Sequence, residues 1–240
     1  MTFACELHPA RLTALFFEAS VIAHLQALGA HVALMLSDLS SERAAVVQQL
    51  NAAHVPVVAI PLVLFEQGYY FTADNAAHAA ARYDEWKAWT AQHNLVWNRV
   101  GLDIEPDARF YQQITDNPWG LVSMLLPRLR DRDRPRRAQA AYAALVDRIR
   151  ADRYSVENYQ FPIIADERKA GSTLLQRLLG LVDVATDREV WMLYTSVLPG
   201  IGPGVLWTYA PQAQAVGVGS TGGGPDIPGH PQVPALDWDE

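Results

Sequence analysis

The sequence predicts an α/β fold, a (β/α)8 TIM barrel, from three observations. Short apolar runs alternate with longer helical patterns along nearly the whole chain, an order that requires parallel strands joined by crossover helices. Eight such runs can be counted, and eight parallel strands close most economically into a barrel. The first run leads into Glu6-Leu7-His8-Pro9 and not into the glycine fingerprint that would seat a dinucleotide on an open doubly wound sheet.

Phe3 to Leu7 reads as the first strand, and Pro9 opens a helical stretch that runs to about Leu28 and stops at Gly29. His31 to Leu36 is the second strand. Ser40 and Ser41 offer an N-cap for a helix over Glu42 to Ala53, and Val55 to Val63 is a third strand with Pro56 and Pro61 near its ends. A loop with Tyr69, Tyr70 and Phe71 leads to Asp74, the expected N-cap of a helix reaching about His93. The fourth strand is Val96 to Glu105. Helices over Trp119 to Leu129 and Pro135 to Arg153 follow, then a fifth strand over Ser155 to Ile164, a helix over Ser172 to Val182, a sixth strand over Glu189 to Thr195 and a seventh over Ala213 to Gly219. Ala235 to Trp238 is the stub of an eighth. The pattern expects one domain over residues 1–240 with no eighth helix, so that the barrel is either finished without it or belongs to a longer chain.

Bulk composition narrows the function classes. Of 240 residues, half are hydrophobic and 19% charged, enough apolar material for a large core and too little charge for a disordered chain. The net charge of −7 argues against nucleic acid, whose binders carry a basic face. The arginine run from Arg128 to Arg137 is interrupted by Asp131, Asp133 and Pro135 and reads as a solvated connection between helices. A single cysteine, Cys5, rules out an internal disulfide and thiol-rich metal sites, and no apolar stretch of membrane-spanning length or secretory leader is seen. The expectation is a soluble, cytoplasmic protein without a membrane partner; composition leaves the oligomeric state open.

In a parallel barrel the loops after the strands build the active site. Side chains alternate along a strand, so Asp103 and Glu105 share one face with Cα atoms about 6.5 Å apart, pointing into the barrel mouth. Burial and mutual repulsion there raise the pKa of at least one of them, and a protonated acid beside an ionised one is what glycosidic cleavage uses. The alternative for this pair is a structural salt bridge with Arg99 or a neighbouring arginine. Tyr69, Tyr70, Tyr159, Tyr194 and Trp238 offer faces for a sugar ring to stack on, with Gln160 beside them, whereas Trp86, Trp89 and Trp191 are expected in the core.

This segment resembles the sugar-cleaving barrels with Asp-x-Glu on the fourth strand, notably the chitinase-like family and the lysozyme-like muramidases. Of the chitinase-like motif Asp-x-x-Asp-x-Asp-x-Glu, the last two acids align with Asp103 and Glu105, while Asn98 and Gly101 stand at the first two. Met192-Leu193-Tyr194 is similar to the Met-x-Tyr of those barrels, with Thr195 where an Asp follows, and Trp238 lies where they place a tryptophan under the sugar. The resemblance implies a glycoside hydrolase with Glu105 as general acid/base and Asp103 as its partner, needing neither cofactor nor metal and acting on an oligosaccharide or other small molecule.

Two other readings stay open. Glu6 and His8, two apart at the end of the first strand, join Asp103 and Glu105 in a metal-dependent isomerase or hydrolase, or the glycine-rich run from Val216 to Gly224 holds a phosphate group. Alternatively the barrel binds carbohydrate without turning it over.

Overall fold

A computed structural model of the chain describes residues 1–110, 125–197 and 200–219. Seven strands form one all-parallel sheet in strictly sequential order: β1 (Thr2–Cys5), β2 (His31–Leu36), β3 (Val57–Pro61), β4 (Arg99–Asp103), β5 (Ser155–Gln160), β6 (Arg188–Met192) and β7 (Ala215–Gly217). Sequential order without a reversal is the topology of a barrel wall and not of a doubly wound sheet. Among the described residues β1 pairs only with β2 and β7 only with β6, so these strands form a curled half-barrel, and the closure expected from sequence is not shown among them. The proposed eighth strand and Trp238 lie outside the described residues, as does the helix over Trp119 to Leu129 for the most part.

The helices pack against the outer face of the sheet. They are α1 (Pro9–Phe16), α2 (Ala19–Ala27), α3 (Ser41–Ala52), α4 (Ala76–His93), α5 (Arg134–Ala151), α6 (Ile163–Ala170), α7 (Leu174–Leu179) and α8 (Gly202–Tyr209). Leu34, Val57, Leu102 and Val156 from the strands meet Leu12, Val47, Trp86 and Tyr142 from the helices in one large core. A second cluster fills the concave face: Ala33, Val58, Ile60, Tyr159, Val190 and Met192, which are the alternate residues of the same strands. None of the membrane-spanning length and apolarity needed is found in a described helix.

Local signals explain most boundaries. Pro9 starts α1 and the Ser40 side chain accepts from the Arg43 N–H at 3.3 Å, capping α3. The long helix expected after Pro9 is broken in two at Phe17 and Glu18. α4 begins after Asn75, not Asp74. The Asn75 side chain is turned inward, where it accepts from the Thr72 N–H and donates to the Gln67 and Tyr70 carbonyls, while Asp74 is held by Arg134 and Arg128. Arg134 is buried, so the arginine run is not wholly solvated. The fifth strand stops at Gln160, and residues expected to continue it form α6; α8 was hidden by the glycines and prolines around Gly202.

Candidate functional site: a cluster of acids and tyrosines

Three carboxyl groups gather at the C-terminal end of the concave face. Register fixes two of them: Gly101 pairs with Glu157 and Asp103 with Tyr159, so Arg99, Gly101 and Asp103 line the concave side of β4 and Leu102 faces the helices. A parallel bridge between Ile104 and Phe71 carries β4 one step further, with the Phe71 N–H donating to the Asp103 carbonyl and the Glu105 N–H to the Phe71 carbonyl. That bridge places Glu105 beyond Asp103 on the same side. Glu6 follows directly after β1 and its Oε1 accepts from the Tyr69 hydroxyl at 2.7 Å.

Tyr69 reaches Glu6 through an unusual backbone. Gly68 and Tyr69 both have positive φ, +117° and +66°, and a side chain on Gly68 would press on Asn75 and Asp107. A tyrosine in the left-handed region is costly and persists only where its surroundings demand it. Gly101 has a different task. A Cβ there would lie 2.9 Å from Ile60 Cγ1 and 3.0 Å from Tyr159 Cε2, so glycine lets the Tyr159 ring cross the sheet beneath Asp103.

The electrostatics are one-sided. Asp103 is 1% exposed and neither of its oxygens has a hydrogen-bond partner among the described residues. Burial, then the charge of Glu6, raises the Asp103 pKa well above the usual carboxylate range. Burial, then the charges of Asp103 and Glu6, does the same for Glu105. Glu6 is raised by burial, an effect that the Tyr69 hydrogen bond opposes. Tyr70 and Tyr194 have raised pKa values from burial and then from Glu105, and remain neutral phenols. Glu6, Glu105, Tyr69 and Tyr194 keep partial exposure, whereas Asp103 and Tyr70 lie behind them.

Of the residues singled out in sequence, Glu6, Asp103, Glu105, Tyr69, Tyr70, Tyr159 and Tyr194 come together here. His8 does not. β1 ends at Cys5, so strand alternation no longer applies, and His8 is exposed at the start of α1. Gln160 also points elsewhere. It pairs with Trp191 on the helix-facing side and donates to the Val182 carbonyl at 3.0 Å. The expected link between Arg99 and the acid pair is absent, because Arg99 sits two layers lower, 3.6 Å from Glu157. Glu157 was missed, although its place two residues before Tyr159 puts it on the same face. The described part of the glycine-rich run forms β7 and the two residues after it; the rest lies outside the described residues. Among the described residues, no set of three or more His, Cys, Asp and Glu side chains could hold a metal ion.

No family model matches this chain, and no curated protein matches it. One solved structure does, the apo form of 3-keto-D-glucoside 4-epimerase, YcjR, from E. coli, with a TM-score of 0.47 and 10% identity over 95% of this chain and 82% of that one. The resemblance to chitinase-like and lysozyme-like sugar-cleaving barrels is not upheld: no family model matches, and the described strands form a seven-stranded half-barrel.

Proposed function

We propose that the chain is a proton-transferring enzyme acting on a neutral, hydroxyl-rich small molecule of carbohydrate type, as an isomerase or epimerase. The observation that carries this reading is the buried Asp103, which has no hydrogen-bond partner among the described residues and lies with Glu105 and Glu6 at one end of the concave face, where burial, joined for Asp103 and Glu105 by neighbouring charge, raises all three pKa values. Three carboxyls and three phenols, Tyr69, Tyr70 and Tyr194, form an acid-rich hydrogen-bonding surface suited to substrate hydroxyls and repellent to anions.

Glu105 and Glu6 are the partly exposed acids and meet the substrate. Asp103, behind them, is a positioning residue that keeps the proton on the pair. In the proposed step the Glu6 carboxylate removes a proton from the carbon beside a substrate carbonyl while protonated Glu105 donates to the carbonyl oxygen, giving an enediol. Glu6 then gives its proton to the former carbonyl carbon while the Glu105 carboxylate takes the hydroxyl proton from the oxygen on the carbon first deprotonated, which yields the isomer and restores both acids. Re-protonation of the original carbon after the enediol turns over in the site gives the epimer, with Glu105 taking back the proton it had donated. Tyr69 holds Glu6 in place by its 2.7 Å hydrogen bond, and Tyr70 and Tyr194 exclude water.

The reading is tested by incubating the protein with a panel of aldoses, ketoses and oxidised glucosides in heavy water and following deuterium entry beside the carbonyl by NMR. Wild type is expected to catalyse exchange with at least one of them, and E6Q to suppress it. Exchange that survives in E6Q and in E105Q alike refutes the assignment.

A further inference from the structure

The opposite, N-terminal end of the concave face carries charge of the other sign. His31 opens β2, Arg99 opens β4 and Arg188 opens β6, and register places all three on the concave side together with Glu157 of β5. The two guanidiniums flank Glu157 Oε2 from either side at 3.6 and 3.8 Å, too far for hydrogen bonds. The other oxygen, Oε1, already accepts from the Tyr159 hydroxyl at 2.8 Å. Neither guanidinium makes a hydrogen bond within the described residues, and both side chains are partly exposed, 27% for Arg99 and 39% for Arg188. His31 Nδ1 is buried next to them without a partner.

We propose that Arg99 and Arg188, with His31 beside them, bind the phosphate group of a small metabolite at this end of the half-barrel. Two planar forks on strands flanking β5 present donors to one region of space, and guanidinium forks match phosphate oxygens in pairs. Glu157 balances the charge in the empty cluster without satisfying those donors, so an incoming phosphate supplies acceptors that the protein itself does not. The site is separate from the acid cluster. Val58, Ile60, Tyr159 and Val190 form a buried layer between the two ends, and a substrate held at Glu105 does not reach Arg188.

His31 reports on occupancy. Burial and the positive charges of Arg99, the amino terminus and Arg188 hold its pKa below the usual histidine value, against the smaller pull of Glu157. A bound phosphate reverses that balance and raises it.

The experiment titrates inorganic phosphate into the intact protein at ionic strength held constant with chloride, following binding heat and the His31 imidazole by NMR. Saturable binding with an upward shift of the His31 pKa is expected in wild type. R188Q, at the more exposed guanidinium, is expected to weaken affinity about tenfold or more, R99Q similarly, and E157Q to tighten it by removing the competing charge. A wild-type titration that does not saturate, or an affinity left unchanged in folded R188Q, overturns the proposal. So does loss of binding in E157Q. If R99Q does not fold, the wild-type His31 shift and R188Q decide the matter without it.

Discussion

The two ends of the concave face are built from the same strands and solve opposite electrostatic problems. At one end Glu157 lies between Arg99 and Arg188 and is balanced by ion pairs. At the other, roughly 13 Å along β4 by strand geometry, Asp103 and Glu105 have no ion pair among the described residues, and burial with like charge raises both pKa values. Evolution of a stable core would favour neither, since buried like charges cost free energy and unsatisfied guanidiniums contribute none. The acid end is the costlier arrangement, which is why the proposed chemistry is placed there.

The widest separation between the ends is expected in catalysis. E105Q should lower deuterium exchange by about 10²- to 10⁴-fold, the range of a positioned acid or base, while R188Q leaves it within a few-fold of wild type. An equal loss in both variants would merge the two ends into one site.

Gly101 lies between the ends and its substitution should damage both. In G101A the new methyl meets Ile60 and the Tyr159 ring, and overpacking of this kind costs about 1–3 kcal/mol, readable as a fall in the denaturant midpoint. Displacing Tyr159 also breaks its bond to Glu157, so loss of stability with intact exchange would show that the ring does not support Asp103.

D103N should move stability the other way. Because the native pKa of Asp103 is raised, the folded protein retains a proton that the unfolded chain releases once pH rises above the ordinary carboxylate range. Wild type therefore loses stability as pH climbs through that interval, at up to about 1.4 kcal/mol per pH unit for each proton retained, and the loss levels off above the native pKa. Thermal melts should show D103N overtaking wild type toward neutral pH and matching it in acid, where both states are protonated. A constant gap across pH would refute the raised Asp103 pKa.

The smallest effect belongs to the cation end. The ion pairs of Glu157 are long and its partners partly exposed, so E157Q, which keeps an oxygen for the Tyr159 hydroxyl, should change stability by less than about 1 kcal/mol.

Much of this was legible before any coordinates. Alternation alone placed Asp103 and Glu105 on one face, and the strands were found within a few residues of their observed ends because each is a short, largely apolar run between helical patterns. Where the reading failed, a stated rule had been applied too far or not far enough. Tyr159 and Gln160 are adjacent on one strand and cannot both face the mouth, while Glu157, two positions earlier, must share the side of Tyr159. Glu6 and His8 were paired by a periodicity that ends where β1 ends. The Tyr69 backbone and its reach to Glu6 carry no comparable signal, since they depend on contacts 63 residues apart in sequence. Closure of the barrel was inferred from a count of runs, and a count does not specify which margins meet.

The acid cluster has two anchors of unequal permanence. β4, which carries Asp103, is buried at every position but its first, while β1, which leads into Glu6, alternates exposed and half-buried positions and among the described residues is laddered on one side only. Amide protons near Asp103 should therefore exchange only with deep opening of the sheet, and those around Cys5 and Glu6 with local fraying of the first strand, so that of the three acids Glu6 has the least permanent support.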